Sequence, residues 1–231
     1  MLQVLTIVIR GFLFDLDGTL VDSERETAEA MARALLSHGV AVEQSDRDFI
    51  VGRSWVAIYD NLKARYPHLT WTRAETIAHT EAMRDDVFAE RGVTVLPRAR
   101  ETLEWTRSYK RALVTGSSRG EVAQIGRHFG PMFTWDAVFA AEDVAQSKPA
   151  PDGYLAALAA LGLDPHEAVV VEDSRAGIEA GRAAGCIVVA VRAGNFGGWD
   201  QSAAHEVIDT LAELTPALVE QLSRDYGLGA R

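Results

Sequence analysis

Short, wholly apolar runs spaced by helical segments constrain this chain more than any other feature. Phe12-Leu13-Phe14, Ala112-Leu113-Val114, Val169-Val170-Val171 and Ile187-Val188-Val189-Ala190-Val191 put apolar residues on consecutive positions, not alternate ones. A strand wetted on one face alternates, whereas a strand covered on both faces does not. The runs therefore predict central strands of a parallel sheet with helices on both faces, joined by right-handed crossovers. We expect strands over 10–15, 111–115, 137–140, 168–172 and 187–191. Helices are expected near 98–107, 119–129, 151–162, 175–184 and 211–224.

Between the first strand and the rest, the pattern changes. Residues 22–95 read as helical throughout, with capping-box signatures at Ser23/Glu26 and Thr72/Glu75. Apolar stripes run along Ala28, Met31, Ala32, Leu35 and Leu36, along Trp55, Ile58, Tyr59 and Leu62, and along Ala74, Ile77, Ala78, Val87 and Phe88. With 231 residues the chain has room for such an insertion. The expected organisation is an α/β, Rossmann-like core made of 1–21 and 96–231, interrupted by an all-helical domain over 22–95. The apolar start, Leu2 to Ile9, is too short to cross a bilayer and lacks the basic lead of a signal peptide. It reads as a short strand or a poorly ordered extension.

In an open parallel sheet, ligands bind at the carboxyl ends of the strands. The polar residues obey that rule. Asp15 and Asp17 follow the first core strand, Thr115-Gly116-Ser117-Ser118 follow the second, and Glu172-Asp173 close the strand over 168–172. Lys148, before Pro149, leads into the helix that precedes that strand. Each signal alone is weak. Small polar residues fill many strand-to-helix turns, a single lysine is most often on the surface, and Ser174 would cap the next helix as well as Glu172 or Asp173. Their joint arrival at one rim carries the argument. Two carboxylates so close repel unless a cation or a division of labour makes the pair useful.

These segments, DLDGT, VTGSS, KP and VEDSRAGIEAGRAAG, resemble the four motifs of the haloacid dehalogenase superfamily of phosphotransferases. The helical stretch lies between the first and second motifs, as in members carrying a helical cap. The likeness is nearest the branch of phosphoglycolate phosphatases, sugar-phosphate phosphatases and beta-phosphoglucomutases. It implies Asp15 as nucleophile and Mg2+ ligand, and Asp17 as the acid that protonates the leaving oxygen and then accepts a proton from water. The Asp17 backbone carbonyl would also bind the metal. Asp173 would be the second carboxylate ligand, with Glu172 a neighbour or water-mediated ligand. Thr115, Gly116 and Ser117 would hold the phosphoryl group, and Lys148 would offset the charge between Asp15 and phosphate. Such chemistry suits phosphoryl transfer, which needs an in-line nucleophile, neutralised oxygens and a proton for the leaving group. Gly18 lets the chain turn away from the rim.

The resemblance also implies a cap that closes over the site and recognises the leaving group. Within it, Arg53 of Val51-Gly52-Arg53-Ser54-Trp55 is the candidate substrate contact. An acid at position 17 favours phosphate over halide chemistry. Mutase relatives carry a histidine shortly after the first motif, where this chain has Thr27, so hydrolysis is favoured over isomerisation of a sugar phosphate. The net charge of −10 gives a polyanion nothing to bind globally, and nucleic acid is not an expected partner. A single cysteine, Cys186, makes no internal disulfide, consistent with a reducing cytoplasm. The expected protein is thus a Mg2+-dependent cytoplasmic phosphatase of a small phosphate ester, off the membrane, as a monomer or weak homodimer.

Overall fold

The computed structural model describes residues 9–51, 53 and 55–226. The expectation for the apolar start therefore lies outside the described residues, apart from Ile9, which is buried. The chain divides into two units. One takes the residues up to Val21, Val95–Asn195 and those from Trp199 on; the other takes Asp22–Thr94 with Phe196–Gly198.

In the first unit, strands β1 (Gly11–Phe14), β4 (Lys110–Val114), β5 (Ala137–Phe139), β6 (Ala168–Glu172), β7 (Ile187–Val191) and β8 (Glu206–Ile208) form a six-stranded sheet in the order β5-β4-β1-β6-β7-β8. Every pairing is parallel. β1 sits between β4 and β6, with Phe14 opposite Leu113 on one side and Val171 on the other. Chain order reverses on the two sides of β1, and such a switch point opens a crevice beyond the strand ends. Two further short strands, β2 (Val21–Asp22) and β3 (Thr94–Val95), pair where the chain passes between the units.

The consecutive apolar positions are explained by cover on both faces. Leu13, Val114, Val170 and Val188 share one buried cluster with Tyr154, Ala157, Leu158 and Leu161 of α7 (Asp152–Leu161) and Ile178 of α8 (Arg175–Ala183). On the other face Phe12 packs edge-on to Trp105 and Tyr109, with ring centroids 5.5 and 5.1 Å away. Trp105 ends α5 (Ala99–Trp105), and Phe14 meets Trp135 beyond α6 (Arg119–Phe129). Gly162, at φ +60°, closes α7 in the left-handed conformation.

The second unit is helical: α1 (Glu24–Ser37), α2 (Gln44–Ile50), α3 (Trp55–Arg65) and α4 (Arg73–Arg91). Its core gathers Met31, Leu35, Ile50, Ile58, Leu62 and Trp71. The box at α4 forms, with Glu75 N–H donating to Thr72 Oγ1 at 3.2 Å and Thr72 N–H to Glu75 Oε2 at 2.7 Å. The box expected at α1 does not. Ser23 makes no side-chain cap, and the Glu24 N–H instead donates to Asp22 Oδ1 at 3.2 Å.

The stripe readings also need correction. Leu36 is 62% exposed, and Ala74 and Ala78 face solvent while Thr76 and Thr80 are buried. Both threonine hydroxyls donate to the carbonyl four residues back, at 2.9 and 2.8 Å. This satisfies them inside the helix and lets a polar residue occupy a core position. α2 and β8 were not foreseen, and the last helix, α9 (Pro216–Tyr226), begins later than expected behind a 3-10 turn at Leu211–Glu213. Among the described residues no helix is long and apolar enough to cross a membrane.

Candidate active site

The rim of the sheet beside β1 collects the polar residues singled out by the sequence. Asp15 leaves β1 with its N–H still donating to Val171 O at 3.0 Å, so the strand geometry extends through it. Thr115 likewise continues β4, donating to Phe139 O at 2.9 Å. Asp15, Thr115, Glu172 and Asp173 are all buried.

Lys148 ties the rim together. Its ammonium donates to Asp15 Oδ1 at 2.5 Å, to Glu172 Oε1 at 2.6 Å and to Val114 O at 3.0 Å. An ammonium has three donors, and all three are used. Burial by itself would lower the Lys148 pKa, but Asp15 and Glu172 outweigh it and hold the group well above its usual value. Lys148 is therefore a fixed positive charge.

Glu172 is the anchor behind it. Oε1 accepts from Lys148 and, at 3.2 Å, from the Tyr154 hydroxyl. Oε2 accepts from the backbone N–H of Asp173 and of Ser174, both at 2.9 Å, and from Ser174 Oγ at 3.0 Å. Both Glu172 oxygens thus accept hydrogen bonds from inside the protein. Gly177 makes room for this side chain, since a Cβ there would overlap the carboxylate.

Asp173 lies over Gly18, which has φ +83° and no space for a Cβ against the Asp173 carboxylate. Thr19 Oγ1 donates to Asp173 Oδ1 at 3.5 Å, and buried Gln201 donates to the Asp173 carbonyl at 2.6 Å. Burial raises the Asp173 pKa well above its ordinary value, with Glu172 and Asp15 adding to the effect. Asp15 is raised from 3.8 to about 8, first by burial and then by Glu172 and Asp17, against the opposing pull of Lys148.

Asp15, Glu172 and Asp173 offer oxygens lying within 4.8 Å of one another. With Asp17 nearby, the rim carries, among the described residues, four carboxylates against the single ammonium of Lys148. A buried excess of hard oxygen donors, with the Asp15 and Asp173 pKa values raised first by burial and then by neighbouring carboxylates, fits a divalent cation such as Mg2+.

The remaining candidates divide. Ser117 Oγ donates to Asp17 Oδ2 in a short hydrogen bond, joining Asp17 to the loop after β4. A Cβ on Gly116 would meet nothing within 4 Å. It borders, with Thr115, Ser147, Lys148 and Tyr154, a cavity of about 150 Å³. Arg53 belongs to the helical unit, exposed, its guanidinium 4.2 Å over the Phe49 ring. Tyr154, Thr19 and Gln201 were missed by the sequence reading. Tyr154 reads as one apolar position in the first turn of α7, and Gln201 lies in irregular chain, so neither carries a local signal.

Known proteins agree with this architecture. The structure of CbbY from Rhodobacter sphaeroides in complex with phosphate has the same fold, with a TM-score of 0.76 over 93% of this chain and 100% of that one, at 23% identity. Hexitol phosphatase A of Escherichia coli is 36% identical over 198 residues, covering 80% of this chain and 83% of the relative. The phosphoglycolate phosphatase of the same organism is 30% identical over 239 residues, covering 91% and 92%. The family model for haloacid dehalogenase-like hydrolases matches residues 9–185, from the start of the described core to the turn after α8. With the motif-bearing rim inside that span, the chain belongs to the haloacid dehalogenase-like hydrolase family.

Proposed function

We propose that this chain is a Mg2+-dependent phosphatase of a small phosphorylated metabolite, a sugar phosphate or a phosphoglycolate-like acid, acting through an aspartyl phosphate on Asp15. The observation that carries the reading is the buried Asp15 carboxylate, gripped by Lys148 beside Asp173 on a rim short of positive charge. The names of its relatives, a hexitol phosphatase and a phosphoglycolate phosphatase among them, point to the same substrate range.

Asp15 attacks phosphorus and the ester P–O bond breaks, while Asp17 delivers a proton to the departing alkoxide. Water then attacks the acyl phosphate and gives its proton to Asp17. The Asp15–phosphorus bond breaks, releasing inorganic phosphate. Lys148 keeps one Asp15 oxygen in place, and Thr115 with the Gly116 amide borders the phosphoryl group. Asp15, Asp173 and the Asp17 carbonyl would hold Mg2+, with Glu172 fixing the frame behind them. When bound there, the ion neutralises phosphoryl oxygens and keeps the carboxylates ionised.

The helical unit, inserted between the first two motifs, is assigned the selection of the alcohol portion. Hydrolysis is preferred to isomerisation because the Thr27 hydroxyl donates to Ser23 O at 2.8 Å and offers no titratable group. A phosphate-release screen over phosphorylated sugars, hexitols and phosphoglycolate tests the proposal. Release should require Mg2+ and vanish on exhaustive chelation. Steady conversion of a sugar 1-phosphate to its 6-phosphate with little free phosphate would overturn it.

A further inference from the structure

The loop after β4 contains two adjacent serines with different work. Ser118 caps α6: its Oγ accepts from Glu121 N–H at 3.3 Å, and Glu121 Oε2 accepts from Ser118 N–H at 2.6 Å. Ser117 is not needed for that cap. Its backbone is pinned from both sides, its N–H donating to Thr115 Oγ1 at 3.0 Å and its carbonyl accepting from Ala141 N–H at 3.0 Å. Its hydroxyl reaches Asp17, a hundred residues away in sequence, and donates to Oδ2.

From this we infer that Ser117 is a positioning residue for the proton transfers of Asp17, and not primarily a phosphate-binding group. The inference rests on the function proposed above and deepens it. Asp17 stands in the turn that begins at the end of β1, where Gly18 at φ +83° swings the chain away. An aspartate side chain can in general take several staggered rotamers. A hydroxyl carried on a doubly anchored backbone selects one of them and lowers the entropy cost of presenting the proton to the ester oxygen. The reaction balances as before: in the first half the Asp17 proton goes to the ester oxygen as the P–O bond breaks, and in the second half Asp17 recovers a proton from water. Ser117 itself gains and loses nothing.

A leaving group that needs no proton separates this role from a structural one. In Ser117→Ala, kcat/KM for an alkyl phosphate such as a hexitol phosphate should fall by about 10- to 100-fold, a share of the ordinary contribution of general acid catalysis. For p-nitrophenyl phosphate, whose leaving group departs as a stable anion, kcat/KM should change by no more than about threefold. The inhibition constant of inorganic phosphate should stay put, and Ser117→Thr, which restores the hydroxyl, should recover most of the alkyl phosphate activity. Equal losses on both esters, or a weakened inhibition by phosphate, would overturn the inference and return Ser117 to phosphate binding. A wild-type enzyme that releases no phosphate from either ester would instead bring down the underlying function, so the two failures are distinguishable.

Discussion

The core rim and the helical unit both gather charged side chains, but they handle them in opposite ways. On the rim, Asp15, Glu172 and Asp173 are buried around one ammonium, and the carboxyl groups of Asp15 and Asp173 are pushed towards neutrality. In the helical unit Glu29 receives Arg33, Arg47 and Arg91 at 3.0, 2.7 and 3.1 Å, guanidinium groups that remain partly or largely exposed. There the charges are met by an excess of partners and by solvent. A buried deficit of cations costs stability and persists only where something else repays it, whereas a solvated surplus is inexpensive. The difference fits the proposal that the rim does the chemistry while the Glu29 cluster serves as scaffold.

The comparison can be broken most severely at Lys148. Lys148→Ala leaves the buried Asp15 and Glu172 carboxylates without the ammonium that donates to both, and should cost about 3–5 kcal/mol in the metal-free protein. Denaturant titration checks this, and the loss should barely depend on salt. A loss below about 1 kcal/mol would mean that solvent reaches the rim and that its burial has been misjudged.

Next comes the dependence on pH. Asp15 rises from 3.8 to about 8 on folding. A raised carboxyl pKa gives stability that is fully present below the unfolded value and lost as pH climbs towards the folded one. The metal-free protein should therefore lose stability between about pH 4 and pH 8, with the raised Asp173 pKa acting in the same direction. Saturating Mg2+ should flatten the decline, because the ion favours the ionised carboxylates, and its binding should release protons near neutrality. Thermal unfolding across that range, with and without Mg2+, measures the slope.

The smallest effect belongs to the helical unit. Glu29→Gln should cost about 1 kcal/mol at low salt and less at high salt, because its partners are solvated. A cost equal to that of Lys148→Ala would erase the distinction between the regions.

How legible all this was in the sequence follows from the range of each interaction. The strands were readable because burial on both faces leaves an unbroken apolar run, as in Val169-Val170-Val171. Asp15, Thr115, Glu172 and Asp173 could be named because each sits at a strand end, whereas Lys148, in the segment between β5 and α7, was named through the motif resemblance. Capping was less secure: at α1 the signature Ser23/Glu26 is present, yet Asp22 supplies the cap bond, a choice made by the turn geometry. β8 was hidden because its three residues, Glu206-Val207-Ile208, form an edge strand with no run to mark it. Tyr154 and Gln201 were illegible for a different reason. Their partners, Glu172 and the Asp173 carbonyl, are supplied by separate segments, and nothing local reports a contact made across the fold.

The most direct measurement is to quench turnover with acid and map the phosphorylated peptide by mass spectrometry. The account predicts a phosphoryl group on the peptide containing Asp15 during turnover with Mg2+, absent from Asp15→Asn, whose phosphate release should fall by at least ~10⁴-fold. Brisk phosphate release with no adduct, or with the adduct on another residue, would contradict it.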